Sequence, residues 1–125
     1  MIYGIGTDIV RIERMNSLWQ RHGQRALDKL LAPGELADFA LAADKGRFLA
    51  KRFAAKEAFA KAVGTGVRPP VLLPALGVTH DALGKPGFAF YGQLAEWIEN
   101  QGFKAHLSIS DEREFALAYV IVEHE

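Results

Sequence analysis

The sequence predicts an α+β fold, with an antiparallel sheet packed against one long helix and several shorter ones. Three observations lead there. Strand and helix signals do not alternate as a βαβ series. The last two strand signals flank a short polar turn, as in a hairpin. One long helical pattern, over 45–63, is apolar on more than one side and so is packed on both. The chain has 125 residues, which bounds it to one domain over 1–125. Half the residues are hydrophobic, 24% are charged and mean hydropathy is +0.02, so a mainly disordered chain is excluded.

The elements follow in order. Residues 2–8 read as a short strand containing Gly4 and Gly6, which mark close approach by a neighbour or ligand. Residues 11–22 form an amphipathic helix with Ile12, Met15 and Trp19 on one face. Gly23 breaks it, and a short helix resumes over 24–31. Pro33 opens a further helix to about Ala43, since proline suits a first turn. Asp44 caps the long helix and Gly64 ends it. Residues 65–74 are loop, because Gly66, Pro69, Pro70 and Pro74 allow little else. Strands at 76–80 and 88–90 are joined through Gly84-Lys85-Pro86. A helix over 93–100 closes at Gly102, and strands at 106–110 and 115–122 flank the turn 111–114.

Cysteine is absent, which excludes a disulfide scaffold, a thiolate zinc site and a thiol nucleophile. No uncharged run is long enough to cross a membrane and the start lacks a basic signal region. The expectation is a soluble cytoplasmic protein without membrane association. Net charge is zero, yet unevenly spread. Residues 11–68 hold twelve lysines and arginines against six acids, a net +6. The remainder holds three against nine, a net −6. The basic half suits an anionic partner, although two solvated surfaces of opposite sign explain it as well.

Within the long helix, Ala50, Ala54, Glu57 and Lys61 share one sector at 100° per residue. An ordinary surface Glu–Lys pair would be worth a few tenths of a kcal/mol. A carboxylate on an alanine-lined face instead needs a partner, either a lysine or a metal ion. Asp8, at the end of the first strand, is either a helix cap or a metal ligand. Asp8 and Glu57 together would suffice for one Mg²⁺, which takes one or two protein carboxylates plus phosphates and water. His106, Ser108 and Ser110 alternate with apolar Leu107 and Ile109, so the histidine faces solvent or touches a phosphate. Arg11, Arg14, Leu18 and Arg21 fall within about 80° of arc. A basic stripe with an apolar centre fits docking of an acidic helix.

These residues carry a resemblance. Ile5-Gly6-Thr7-Asp8-Ile9, the run from Arg52 through Ala62, Gly64-Thr65-Gly66, Gly84-Lys85-Pro86 and His106 through Asp111 occur in the order and spacing of the holo-[acyl-carrier-protein] synthases. These are the small bacterial members of the 4′-phosphopantetheinyl transferases, and the resemblance spans essentially the whole chain. It implies the 4′-phosphopantetheinyl transferase fold. It implies transfer of the phosphopantetheine arm of coenzyme A to a serine of apo-acyl carrier protein, releasing adenosine 3′,5′-bisphosphate, in fatty acid biosynthesis. It also implies Mg²⁺ and a homotrimer with active sites between subunits.

By the same resemblance, Asp8 and Glu57 are metal ligands and Lys61 neutralises the pyrophosphate. The resemblance makes Asp8, Glu57, Lys61 and His106 the catalytic set, and assigns Arg52, Lys56, Lys61, Gly64, Pro86 and His106, from either subunit, to the coenzyme site. Arg11, Arg14, Leu18 and Arg21 dock the carrier protein. The serine proton goes to a metal-bound water or to a side chain. Asp111 follows a variable pattern and receives no role. Two other readings fit part of this pattern: an Mg²⁺-dependent transferase with another acceptor, and a basic module that binds an acidic protein or RNA. The module leaves Glu57 without a task, and the interleaved surface aromatics of an RNA binder are lacking, so no nucleic-acid partner is expected.

Overall fold

The computed structural model describes residues 1–124. In chain order it comprises β1 (Ile2–Arg11), α1 (Ile12–His22), α2 (Gln24–Leu30), α3 (Leu36–Leu41), α4 (Lys45–Val63), β2 (Leu76–His80), β3 (Pro86–Phe90), α5 (Gly92–Gln101), β4 (Phe103–Asp111) and β5 (Phe115–His124). Short 3-10 turns lie at Pro33–Glu35 and Leu73–Ala75. The strands form two antiparallel sheets rather than one: a three-stranded sheet ordered β1-β5-β4, and a separate β2–β3 hairpin.

The α4 helix is central because its composition suits burial on nearly every side. Leu49, Ala50, Ala54, Ala55, Ala58, Phe59, Ala60 and Ala62 are all buried. Its start is fixed by the Asp44 side chain, which accepts from the Arg47 N–H at 3.1 Å. Its end is fixed by Gly64 at φ 82°, whose N–H bonds back to Ala60 and Lys61 carbonyls. One side of α4 lies on the inner face of the three-stranded sheet, against Val10, Ala116, Ala118, Val120 and Val122. Phe59 on another side meets Phe88 and Phe90 of the hairpin at 5.4 Å between ring centres.

The two early glycines explain the close fit of strand and helix. A Cβ on Gly4 would stand 1.9 Å from the Ala62 carbonyl oxygen. One on Gly6 would stand 2.0 Å from the Ala58 carbonyl oxygen. The close neighbour is therefore α4, not a ligand. Several predicted boundaries change, β4 for instance beginning at Phe103 rather than at residue 106. β1 continues to Arg11, because Ile9, Val10 and Arg11 pair with β5 partners over a hundred residues away. The helix predicted over 33–43 divides into a 3-10 turn and six-residue α3. The predicted 65–74 loop contains a short Arg68–Val71 bridge and runs into a 3-10 turn.

The β1–β5 part of the outer sheet face carries an uncovered apolar patch, beside the polar Lys104, His106, Ser108 and Ser110 of β4. Ile5, Ile9, Leu117 and Tyr119 are 57%, 62%, 41% and 44% exposed. No described helix is long and apolar enough to cross a membrane.

Candidate active site

Asp8 lies three residues inside β1, not at its end as predicted, and it occupies the inner face opposite Ala118. That alternation aims it at α4, where Glu57 and Lys61 stand one turn apart. Lys61 Nζ donates to the Thr7 carbonyl at 3.0 Å and to Asp8 Oδ1 at 3.1 Å. The Asp8 side chain is mostly enclosed, whereas half of Lys61 remains exposed. Glu57 is half-buried and, among the described residues, has no side-chain hydrogen-bond partner. Burial raises its pKa above the usual carboxylate value, and the Asp8 charge raises it further. Lys61 and Arg14 act in the opposite direction.

This donor set fits a hard divalent cation. Two oxygen ligands converge, the repulsion between them favours a shared positive charge, and one edge is open. Among the described residues no cluster of three or more metal-ligating side chains occurs, as a closed structural site would require. Asp8 and Glu57 would hold Mg²⁺, with the remaining positions left to water and a phosphate-bearing substrate.

His106 does not join this group within one chain. It pairs in register with Ile121 on the outer face of the sheet, whereas Asp8 is on the inner face. The imidazole is bonded to Glu123 at 2.5 Å, and that hydrogen bond holds the Glu123 carboxyl below its usual value. Sheet pleating thus separates His106 from Asp8, Glu57 and Lys61 within one chain, and those three come together without it.

The coenzyme contact expected of Lys56 is corrected. That residue has no exposed surface, so it cannot reach a coenzyme phosphate. Its ammonium donates to Glu35 Oε1 at 2.5 Å, Leu30 O at 2.7 Å and Leu73 O at 3.0 Å. Arg52 is also buried, donating to Glu35 Oε2 at 2.9 Å and to Val78 O at 2.8 Å. Its guanidinium lies over Phe48, so only an edge faces the groove with Asp38 and His80. Sequence reading missed Glu35, the acid these two cations share. The signal was available: two cations on a two-sided apolar helix require a buried acid.

Gly64 is exposed at the end of α4, and Pro86 begins β3 opposite His80. Asp111 accepts from Arg47 at 2.8 Å, and Arg47 also donates to Glu112 O and Arg113 O. Asp111 thereby ties the β4–β5 turn to α4. In the basic stripe, Arg11 ends β1 over the Phe115 ring, and Arg14 sits over Phe53. Leu18 lines a hollow of about 230 Å³ with His22, Arg25, Ala26, Lys29 and Leu30. Because Arg14 acts on Glu57, the stripe is continuous with the carboxylates rather than separate from them.

A carboxylate pair with an adjacent ammonium on an α+β frame is a donor set suited to phosphoryl transfer. The family model of the 4′-phosphopantetheinyl transferase superfamily matches residues 4–120, and the chain belongs to that superfamily. It is 70% identical over 124 residues to a holo-[acyl-carrier-protein] synthase of Dechloromonas aromatica, covering 99% of both chains. The crystal structure of the holo-[acyl-carrier-protein] synthase of Neisseria meningitidis matches with a TM-score of 0.94 at 51% identity, over 98% of this chain and 99% of that one. The Bacillus anthracis synthase in complex with CoA (3′,5′-ADP) matches at TM-score 0.83 and 33% identity, over 100% and 99%.

Proposed function

We propose that this chain transfers 4′-phosphopantetheine from coenzyme A to a serine hydroxyl of apo-acyl carrier protein. The products are holo-acyl carrier protein and adenosine 3′,5′-bisphosphate, and the reaction serves fatty acid biosynthesis in the cytoplasm. The observation that carries the reading is the convergence of Asp8, Glu57 and Lys61 in a member of this superfamily. Residues 1–125 act as one phosphopantetheinyl transferase domain.

The serine oxygen forms a bond to the phosphorus bearing the pantetheine arm while the bond to the bridging oxygen breaks, that oxygen leaves on adenosine 3′,5′-bisphosphate, and the serine proton passes to a side chain or a water of the site. Bound Mg²⁺ supplies Lewis-acid stabilisation of the pyrophosphate charge. Lys61 adds a point charge beside the same group, turning its exposed side to the substrate. Asp8 keeps the Lys61 ammonium placed when substrate arrives. Gly64 and Pro86 border the coenzyme.

The enzyme works as a homotrimer. The apolar patch on the outer sheet face supplies the surface for association, and uncovered apolar area of this kind marks an interface. His106 lies on that face, so a neighbouring copy brings it to coenzyme bound at Asp8 and Glu57. The Arg11, Arg14, Leu18 and Arg21 stripe receives the carrier protein, with the hollow beside Leu18 taking an apolar side chain.

Mass spectrometry of apo-acyl carrier protein after incubation with this protein, coenzyme A and Mg²⁺ tests the reading. The expected result is a mass gain of one phosphopantetheine group. Binding without a covalent product, in the presence or absence of Mg²⁺, would instead identify a docking module.

A further inference from the structure

The Glu35 carboxylate collects donors from four separated points of the chain. Oε1 accepts from Ala32 N–H at 2.8 Å and from Lys56; Oε2 accepts from Arg52 and from Val78 N–H at 3.1 Å. Lys56 adds the last carbonyl of α2 and one in the 3-10 turn before β2. All three residues are nine-tenths or more buried. Every donor and acceptor in this cluster is satisfied, as a buried ionic group demands.

The cluster lies directly beside the reacting residues in sequence. Lys56 precedes Glu57, so their side chains leave α4 about 100° apart. Lys56 points at α2 and the two 3-10 turns, while Glu57 points at Asp8. On the Glu57 side, α4 meets β1 through the bare backbone of Gly4 and Gly6. That contact fixes the distance between helix and strand, but it is steric and weakly directional. A shift by one residue moves a helical side chain about 1.5 Å along the axis and 100° around it. The ionic cluster is directional and opposes both displacements. Buried polar groups are best attested in such registry roles.

We infer that Glu35 is a positioning residue for the transfer, fixing through Lys56 and Arg52 the rotation and axial position at which α4 presents Glu57 and Lys61 to Asp8. This rests on the reading of those three residues as the reacting site. Glu35 touches none of them.

The test is Glu35→Asp, which keeps the charge and withdraws the carboxylate by about 1.5 Å, one carbon–carbon bond. Two readouts apply: kcat and KM for the transfer, and Mn²⁺ affinity of the protein alone by electron paramagnetic resonance. Leu94→Ala, a buried change in α5 that removes no member of the ionic cluster, serves as the comparison for a general loss of stability. Glu35→Asp should lower kcat roughly tenfold with both KM values within about twofold, and weaken Mn²⁺ severalfold. Leu94→Ala should leave kcat and Mn²⁺ affinity at wild-type values. Wild-type kcat and Mn²⁺ affinity in folded Glu35→Asp would overturn the inference, as would equal losses in Leu94→Ala. If Glu35→Asp does not fold, Lys56→Arg takes its place, and failure of both assigns the cluster to folding and overturns the positioning role. A wild-type protein that binds Mn²⁺ but transfers nothing sinks the functional reading alone, and the Mn²⁺ comparison still decides the role of Glu35. A wild-type protein that binds no Mn²⁺ overturns both.

Discussion

Replacing Gly6 by alanine perturbs the site without touching a reacting group. The added methyl would lie 2.0 Å from the Ala58 carbonyl oxygen and 2.7 Å from the Ala62 nitrogen, both backbone atoms of α4. Restoring an ordinary contact of 3.4 Å from 2.0 Å requires about 1.4 Å of separation. Backbone cannot turn aside as a flexible side chain can, so β1 must move away from α4. Asp8 sits two residues further on the same strand and the same face, and so it travels with that motion. Overpacking of this kind costs about 1–3 kcal/mol. At about 4 °C per kcal/mol for a domain of this size, the melting temperature falls by about 4–12 °C. A displacement near 1 Å at a reacting centre lowers kcat by about 10²-fold. The assay is phosphopantetheine transfer followed by mass spectrometry, with thermal unfolding measured in parallel. Gly87→Ala serves as the control, because its added methyl would meet only Thr79 Oγ1 at an ordinary 3.5 Å. A Gly6→Ala protein with wild-type melting temperature and kcat would refute the tight coupling of β1 to α4.

Three further outcomes are expected. Asp8→Asn and Glu57→Gln should each reduce transfer by about 10²-fold or more while circular dichroism stays native, and full activity of either at limiting Mg²⁺ would remove it from the ligand set. Arg21→Glu should weaken the carrier protein mainly at low salt, whereas Arg14→Glu should also disturb Mn²⁺ binding, because Arg14 acts on Glu57; salt-independent losses in both would contradict docking by charge. Glu35 is raised by burial, but the Lys56 charge and the bonds from Lys56, Ala32 and Arg52 outweigh this and hold it below the ordinary 4.5. Its stabilisation is therefore complete above pH 4.5 and lost as pH falls through the depressed value, so Glu35→Gln should flatten the acid limb of a stability–pH curve.

Local signals were legible in the sequence and distant pairings were not. The α4 boundaries follow from Asp44 and Gly64, each of which acts on backbone within one turn. Its two-sided burial followed from having apolar residues around most of its circumference. Gly4 and Gly6 announced a close neighbour, although only the fold identifies that neighbour as α4. The misreading of Lys56 has one cause: its acid lies 21 residues away, in a 3-10 turn with no helical phase to α4. The separation of His106 from Asp8 depends on the register of three strands, which alternation within any one strand cannot supply.

The pairing of β1 with β5 has a consequence for the order of folding. Among the described residues β1 pairs with β5 alone, with Ile5 opposite Ile121 and Arg11 opposite Phe115. On the ribosome, residues 1–110 can emerge with α4 formed while β1 still lacks its partner. During that interval the strand presents unpaired amides beside Ile5 and Ile9, the arrangement most prone to off-pathway association. Sheet closure at such sequence separation carries a large loop entropy and is intrinsically slow. Closure of the three-stranded sheet therefore waits on β5, the ten-residue strand that pairs with both β1 and β4.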